Sequence, residues 1–186
     1  LAAAGLEQLT LYALSVENYR KRPPAEIEFL LHLLGSFLES ERPTIMDNRI
    51  RFRTIGRIHE FPEALREQIA RLEADSASHE GMVLCLALNY GGQSEISDAC
   101  RRISERVAAG ELAASEVDED LIGQHLYDPK MPPLDLMIRT AGEMRVSNFL
   151  LWQVSYAEIF VTERFWPEFR TAAVAEAFAS FQGRTR

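Results

Sequence analysis

The chain has 186 residues and a net charge of −8, with 47% hydrophobic and 26% charged residues. These values are typical of a globular protein with a sizeable core. The negative charge argues against nucleic-acid binding through bulk charge, so we expect no nucleic-acid partner. No apolar run approaches the roughly 20 residues that span a bilayer, and no signal peptide is visible. Cys85 and Cys100 lack metal-ligand spacing, which favours reduced thiols and a cytoplasmic protein.

The hydrophobic pattern predicts strands that alternate with helices. In chain order we predict a strand at residues 9–14, a helix at 25–40, a strand at 49–55, a helix at 62–74, a strand at 82–88, helices at 95–109 and 116–125, strands at 134–138 and 157–162, and a helix at 172–181. The near-continuous apolar run at 82–88 is typical of a strand covered on both faces. Strands separated by helices favour an α/β fold with a mostly parallel central sheet flanked by helices, in a single domain over residues 1–186.

The first residues carry a further expectation. Leu1 to Gly5 resembles the last turn of a helix closed by glycine, and no initiator Met precedes it. We therefore expect that the chain begins inside an element and that an N-terminal strand and loop are missing from it.

Polar side chains follow three of the predicted strands. Ligands bind beyond the carboxyl ends of parallel strands, so these residues are candidates for a site. They are Ser15, Asn18 and Tyr19 after the first strand, Asn89, Gly91 and Gly92 after the third, and Arg139, Glu143, Arg145 and Ser147 after the fourth. The second strand ends in the plainer Gly56 and Arg57. The charged run Arg20 to Arg22, followed by two prolines, favours a mobile loop.

Two arginines and a hydroxyl after a buried strand are typical of a site for a phosphorylated ligand. Simpler explanations stay open. Arg139 would also suit a surface ion pair with Glu143 or Asp135, worth about 0–1 kcal/mol. Gly91 and Gly92 would also suit a plain helix-entry turn.

Other kinds of site find little support. The four histidines share no metal-ligand spacing with another candidate ligand. No Gly-x-Ser-x-Gly elbow, Walker loop or Gly-x-Gly-x-x-Gly fingerprint occurs.

Five segments resemble the cis-prenyltransferase family, most of all its bacterial undecaprenyl diphosphate synthases. They are residues 9–19, 89–92, 135–149, 150–158 and 165–169, of which the block from Arg139 to Glu158 is the most specific. The resemblance implies a parallel sheet of six strands and condensation of isopentenyl diphosphate with an allylic diphosphate such as farnesyl diphosphate. The implied product is a cis-polyprenyl diphosphate, the undecaprenyl carrier for cell-wall synthesis. It further implies Mg²⁺, a homodimer and peripheral membrane association through the lipid product.

The resemblance also implies residue roles. Arg139, Arg145 and Ser147 match the positions that bind isopentenyl diphosphate, which suits planar guanidinium groups and a hydroxyl donor. Glu158 matches the carboxylate associated with magnesium, and an oxygen ligand suits that ion.

The remaining matches concern catalysis and the walls of the site. Asn18 and Ser15 match the mobile loop that assists condensation. Tyr19, Asn89 and Glu143 are expected to contact substrate at the same edge, with Glu143 orienting the arginines.

The chain departs from the family pattern in several places. The family's Met-Asp-Gly-Asn-Gly-Arg motif, which cradles the allylic diphosphate, does not occur, so a polypeptide that truly began at Leu1 would have little activity. The C-terminus at residues 183–186 looks clipped beside the family's basic tail. Tyr19 stands where the family usually has Trp, Ala141 where it commonly has Ser or Gly, and Gln93 where it commonly has Arg. Two alternatives stay open: a short-chain cis-prenyl diphosphate synthase, and a non-catalytic partner subunit, although such subunits typically lose the diphosphate-binding arginines.

Overall fold

The computed structural model describes residues 5–183 of the protein. The chain divides into two compact units, an N-terminal unit that ends at Lys130 and a C-terminal unit that begins at Met131. The predicted helix end at residues 1–4 and the terminal residues 184–186 lie outside the described part. The assignment of residues 1–186 to a single domain stays a prediction.

Three parallel strands form the sheet of the N-terminal unit. β1 (Gln8–Ser15), β2 (Arg51–Ile55) and β3 (Val83–Tyr90) lie in the order β1-β3-β2. Gln8 and Arg51 both pair with Val83, so the two outer strands start level on the central strand. The last six residues of β3 are buried. This burial confirms the prediction of a central strand that is covered on both faces.

Five α-helices lie within residues 5–130 of the same unit. They are α1 (Val16–Lys21), α2 (Pro24–Asp47), α3 (Glu63–Ser76), α4 (Gly92–Ala108) and α5 (Glu119–Gln124). Leu31 and Leu38 of α2 pack with Phe52 and Leu86 of the sheet in the hydrophobic core. Helix α2 runs past the predicted end at residue 40 and through Pro43. A proline removes one helical hydrogen bond, but the buried Ile45 beyond it keeps the last turn packed.

The hydrophobic pattern does not predict helix α1. The segment after β1 is helical rather than an irregular loop, because Ser15 caps it: the Oγ of Ser15 accepts a hydrogen bond from the Asn18 backbone N–H at 3.1 Å. Glu17 in the first turn and Lys21 in the last suit the helix dipole. Six residues are too few to show helical periodicity, and the capping serine is the sequence signal that would have identified the helix.

The C-terminal unit, as far as residue 183, contains two parallel strands and an α-helix. β4 (Leu136–Arg139) pairs with β5 (Glu158–Val161), and α6 (Thr171–Gln182) follows. Single turns of 3₁₀ helix lie at Gln153–Tyr156 and Trp166–Glu168. The 18 residues between the strands contain the candidate ligand loop and the 3₁₀ turn Gln153–Tyr156, where parallel strands are usually joined by an α-helix.

The structure confirms the α/β class, the parallel pairing and all five predicted strands within residues 5–183. The strands form one sheet of three and one of two instead of a single sheet, because the sequence pattern identifies strands but not their hydrogen-bonding partners. The predicted helix at 116–125 is a 3₁₀ turn at Ala114–Glu116 followed by α5. No helix within the described part has the length and apolar character to cross a membrane.

Cys85 is buried, as predicted. Burial raises the pKa of its thiol to about 12, with the Asp128 carboxylate adding to the effect. Cys85 and Cys100 are both free thiols, and Cys100 is exposed.

Candidate active site

The loop after β4 holds the residues with the strongest predicted role. Arg139 is the last residue of β4 and pairs with Val161 of β5. Beyond it, the Ala141 and Gly142 backbone N–H groups donate to the carbonyls of Arg164 and Thr162 at 2.8 and 2.9 Å. The loop therefore leaves the strand on a path that hydrogen bonds to the segment after β5 define.

Gly142 is required on this path. It has a φ of 66°, and a Cβ at this position would lie 2.6 Å from Oε2 of Glu163. A side chain here would meet both backbone strain and a carboxylate. The close approach of Gly142 to Glu163 keeps the loop tight immediately after the first arginine.

The guanidinium group of Arg139 has unused donors. Its Nη2 lies 3.4 Å from Oγ of Ser147, and its Nε is buried without a hydrogen-bond partner among the described residues. A buried guanidinium donor that finds no acceptor is costly, about 1–3 kcal/mol. The structure thus brings Arg139 and Ser147 together, as their predicted shared ligand requires, and leaves donor capacity at the strand end.

Arg145 and Glu143 form the second pair in this loop. The Nη1 of Arg145 lies 2.5 Å from Oε2 of Glu143, and 69% of the Arg145 side chain is exposed. Glu143 therefore contacts one of the two arginines that it was expected to orient. An exposed guanidinium held by one carboxylate keeps free N–H groups for an anion.

The far side of the loop has an unusual backbone. Ser147, Asn148 and Leu150 have φ values of 53°, 60° and 47°, in the left-handed region that non-glycine residues seldom adopt. Leu150 is 1% exposed and anchors the segment. Clustered strain of this kind is typical of ligand-binding segments that the surrounding structure holds in place.

Glu158, the predicted magnesium ligand, begins β5. It is half-buried, its backbone N–H donates to the Asp135 carbonyl at 2.9 Å, and it pairs across the sheet with Leu136. Within residues 5–183 no group of three His, Cys, Asp or Glu side chains forms a metal cage. One carboxylate without a cage fits Mg²⁺, which is commonly held by one or two carboxylates together with substrate phosphates.

The N-terminal unit places the other predicted residues at the end of β1, on α1 and near the end of β3. The Asn18 side chain is exposed on α1, and Ser15 caps that helix. The Tyr19 hydroxyl donates to the Glu60 carbonyl at 3.1 Å, and its ring centroid lies 5.5 Å from that of Phe61. Burial and the nearby Glu60 charge raise the pKa of Tyr19.

Asn89 is fully buried and has a φ of 45°. Its Nδ2 donates to the Arg57 carbonyl at 3.2 Å and to Oε2 of Glu60 at 2.8 Å, whereas its Oδ1 is buried without a partner in the described part of the chain. Two acceptors at Nδ2 fix the orientation of the amide. The hydrogen bonds of Asn89 therefore go to the turn at Ile58–Glu60.

Sequence reasoning missed a polar cluster around Arg57, which it treated as a plain strand end. Nε and Nη2 of Arg57 donate to the two carboxylate oxygens of Asp98, both at 2.9 Å, and the Tyr127 hydroxyl donates to Asp98 at 2.6 Å. These hydrogen bonds raise the pKa of Arg57 above its usual range. Burial opposes ionisation of Asp98, but the bonds from Arg57 and Tyr127 outweigh it and lower the pKa of Asp98.

The sequence contains no short-range signal for this cluster, because Arg57 and Asp98 are 41 residues apart. Glu95 forms a neighbouring buried group: it accepts from the Tyr90 hydroxyl at 2.5 Å and from the Tyr127 backbone N–H at 3.0 Å. A buried carboxylate with these donors was not predicted either.

The structure is an α/β fold in which the end of β4 and the loop after it carry two arginines with spare donors, an arrangement suited to an anionic, phosphate-like group. A family model described as "Putative undecaprenyl diphosphate synthase" matches residues 1–186. The chain is 44% identical over 181 residues to an isoprenyl transferase of Rhodopirellula baltica, covering 97% of the chain and 74% of that protein. It is also 44% identical over 185 residues to a farnesyl-diphosphate-specific ditrans,polycis-undecaprenyl-diphosphate synthase of Vibrio cholerae, covering 100% of the chain and 74% of that protein.

A solved structure is similar as well. Lavandulyl diphosphate synthase from Lavandula x intermedia, in complex with dimethylallyl diphosphate, matches with a TM-score of 0.94 and 35% identity, covering 100% of this chain and 80% of that one. The chain belongs to the undecaprenyl diphosphate synthase family of cis-prenyltransferases. It is an enzyme that transfers prenyl groups, which confirms the resemblance seen in the sequence.

Proposed function

We propose that this enzyme condenses isopentenyl diphosphate with an allylic diphosphate such as farnesyl diphosphate, extending a cis-polyprenyl diphosphate that serves as the undecaprenyl carrier. In each cycle the allylic C–O bond breaks, a C–C bond forms to the isopentenyl unit, and diphosphate and a proton leave. Relatives that are 44% identical and named isoprenyl transferase or undecaprenyl diphosphate synthase support this assignment.

The observation that carries the proposal is the buried, unpartnered Nε of Arg139 beside Ser147. A diphosphate oxygen would accept from the guanidinium group of Arg139 and from the Ser147 hydroxyl at once. Guanidinium groups bind phosphate oxygens through paired, charge-assisted hydrogen bonds. Arg139 and Ser147 are therefore proposed to bind the diphosphate of isopentenyl diphosphate.

Arg145 is proposed to bind the same diphosphate. Its exposed guanidinium is held by Glu143, which limits the positions that it samples without using all five donors. Glu143 is thus proposed to act on substrate through the orientation of Arg145.

Helix α1 is proposed to carry the residues that assist condensation. The exposed amide of Asn18 is available to a substrate, and the Ser15 hydroxyl sets the start of the helix. Direct substrate contact by Tyr19 and Asn89 stays a prediction, since their observed hydrogen bonds go to the protein.

Mg²⁺ is proposed as the cofactor, held by the carboxylate of Glu158 and by phosphate oxygens of the substrate. Bound there, the ion would neutralise charge that develops on the diphosphate. The single half-buried carboxylate supports a metal that arrives with its substrate.

We further propose a cytoplasmic homodimer that associates peripherally with the membrane through its lipid product. Large apolar side chains in the C-terminal unit support a second copy as the partner: Tyr156 is 95%, Phe165 63% and Trp166 61% exposed. Sedimentation equilibrium of the full-length enzyme tests this, and a monomer at micromolar concentration would contradict it.

A second candidate within the enzyme class is a synthase of shorter products. The similarity to lavandulyl diphosphate synthase, at a TM-score of 0.94, is the observation in its favour. Chain-length analysis of the product separates the two, because only the leading proposal predicts many condensations per primer.

The deciding experiment follows labelled isopentenyl diphosphate into product with farnesyl diphosphate as primer, in the full-length protein. We expect long cis-polyprenyl diphosphates from the wild type. Arg139→Ala should lower kcat/KM for isopentenyl diphosphate about 10- to 150-fold, because a hydrogen bond to a charged group is worth about 1.5–3 kcal/mol.

The matched control is Arg170→Ala, which removes another exposed arginine of the same unit. Its kinetics should equal those of the wild type. Equal losses in both variants, or no incorporation by the wild type, would contradict the proposal.

A further inference from the structure

Helix α1 depends on a contact with the turn at Ile58–Glu60. It has six residues, too few to be stable in isolation. Its last turn is held by Tyr19, whose hydroxyl donates to the Glu60 carbonyl at 3.1 Å and whose ring packs on Phe61. Phe61 is 3% exposed and belongs to the core. The position of α1 therefore depends on where this turn lies.

Side-chain hydrogen bonds fix the turn at Ile58–Glu60 from both of its ends. At its start, Arg57 donates two hydrogen bonds to Asp98 of α4, both at 2.9 Å. The Tyr127 hydroxyl donates a third hydrogen bond to the same carboxylate at 2.6 Å. At its end, Glu60 accepts from Asn89 at 2.8 Å. The side chains of Arg57 and Asp98 are only 14% and 12% exposed, so solvent weakens this pair little.

The backbone of the turn is tied to β3 as well. The Arg57 N–H donates to the Asn89 carbonyl at 3.2 Å, and the Asn89 amide donates back to the Arg57 carbonyl at 3.2 Å. Gly56 just before it has a φ of 119°, and a Cβ there would lie 2.0 Å from the Leu88 carbonyl oxygen. This close approach leaves the turn one backbone path.

We propose that Arg57 and Asp98 are positioning residues for prenyl transfer: they clamp the turn on which Tyr19 docks, and so hold the α1 residues Ser15 and Asn18 in their working place. This inference rests on the proposed role of α1 in condensation. It assigns a function to a cluster that makes no predicted contact with substrate.

The ion pair of Arg57 and Asp98 does not switch with pH near neutrality, because both side chains keep their charge. The hydrogen bonds from Arg57 and Tyr127 keep the pKa of Asp98 below its usual range, and those to Asp98 raise the pKa of Arg57. Both side chains are therefore charged at neutral pH. The other charged groups that face the pair are Glu60, 4.0 Å from Arg57, and Arg101, 3.5 Å from Asp98.

The test combines a structural and a kinetic readout on the full-length enzyme. Arg20 and Lys21 at the end of α1 are trypsin sites, whereas Arg22 precedes Pro23 and resists cleavage. In Arg57→Gln we expect trypsin to cut after Arg20 and Lys21 about tenfold faster than in the wild type, with kcat lowered about tenfold and KM for isopentenyl diphosphate within about twofold. Arg57→Lys should recover only part of each effect, because lysine cannot form the paired hydrogen bonds.

A double-mutant cycle identifies the route. If the clamp acts through Tyr19, then adding Arg57→Gln to Tyr19→Ala should lower kcat by less than about twofold further. The control is Arg42→Gln, which breaks a 2.8 Å ion pair with Asp75 between α2 and α3. It should leave the proteolysis rate and kcat unchanged.

Each outcome decides the inference. Unchanged cleavage in Arg57→Gln, faster cleavage with unchanged kcat, or independent losses in the double variant would each overturn it. If trypsin cleaves the wild type and the variants as expected but the wild type transfers no prenyl group, the result would instead refute the proposed function. Proteolysis in Tyr19→Ala and Asp98→Asn provides the second set of variants should Arg57→Gln not fold.

Discussion

The carboxyl ends of β3 and β4 both carry polar side chains, but they differ in what those side chains contact. At the end of β3, the Asn89 amide and the nearby Arg57–Asp98 pair contact protein groups. At the end of β4, Arg139 keeps a buried donor without a partner among residues 5–183, and the side chain of Arg145 in the following loop is largely exposed. The polar groups at the end of β3 are almost all hydrogen-bonded within the protein, whereas those at the end of β4 keep unused donors.

This difference separates two kinds of polar residue. A charged pair that satisfies itself stabilises the backbone around it and has little capacity left for a ligand. A guanidinium with unused donors costs stability in the free enzyme and recovers that cost when an anion binds. Substitutions at the two strand ends should therefore damage different properties.

The largest expected effect is on stability. Asp98→Ala leaves the nearly buried guanidinium of Arg57 without its two hydrogen bonds and with only the Glu60 carboxylate 4.0 Å away, so the free energy of unfolding should fall by about 3–5 kcal/mol. Urea unfolding at neutral pH measures it. Arg139→Ala, measured in parallel without ligand, should cost less than about 1 kcal/mol. Equal destabilisation by the two variants would remove the distinction between the strand ends.

Acid should weaken the same cluster. Because the pKa of Asp98 is lower in the folded protein than the usual aspartate value of 3.8, its contribution to stability is complete above that value. It is lost as pH falls through the lower folded pKa. The stability difference between wild type and Asp98→Asn should be constant from about pH 6 to 5 and shrink below about pH 4. A difference that grows in acid would contradict the assigned sign.

A smaller effect is expected in the metal dependence. Glu158→Ala removes the one carboxylate proposed to hold Mg²⁺, so half-maximal activity should require several-fold more Mg²⁺, about tenfold by analogy with other supporting ligands. Glu168→Ala, an exposed carboxylate of the same unit, is the control. Superimposable magnesium titrations of wild type and Glu158→Ala would refute the metal role.

The smallest effect concerns the hydroxyl of Ser147. Ser147→Ala should raise KM for isopentenyl diphosphate about 2- to 10-fold, the equivalent of about 0.5–1.5 kcal/mol for one neutral hydrogen bond. Ser147→Gly loses the same hydroxyl but relieves a backbone with φ of 53°. It should therefore share the higher KM and unfold at a higher urea concentration than Ser147→Ala. An unchanged KM in both variants would exclude the hydroxyl from binding.

The sequence predicted what depends on local pattern. The apolar run of β3 and the helical spacing of α2 follow from period and burial, and Arg139 and Ser147 are eight residues apart in one loop. Their contact, at 3.4 Å, could be anticipated from the resemblance alone. The observed strand pairing confirms the predicted parallel strands, and the matching family model confirms the resemblance that the sequence motifs indicated.

The rest depends on contacts between distant parts of the chain. The Arg57–Asp98 pair joins residues 41 positions apart, and the Tyr19–Glu60 bond has the same separation. None of these four residue types is unusual on a protein surface, so the composition of the sequence does not identify the two contacts. The division of the strands into two sheets also depends on hydrogen-bonding partners, which the hydrophobic pattern does not encode.

Direct binding of isopentenyl diphosphate tests the central claim, that the donors after β4 bind its diphosphate and the cluster around Arg57 does not. Isothermal titration calorimetry would compare full-length wild type, Arg139→Ala and Arg57→Gln in the presence of Mg²⁺. We predict that Arg139→Ala raises the Kd by at least about tenfold and that Arg57→Gln changes it by less than about twofold. An unchanged Kd in Arg139→Ala, or an equal rise in both variants, would contradict the account.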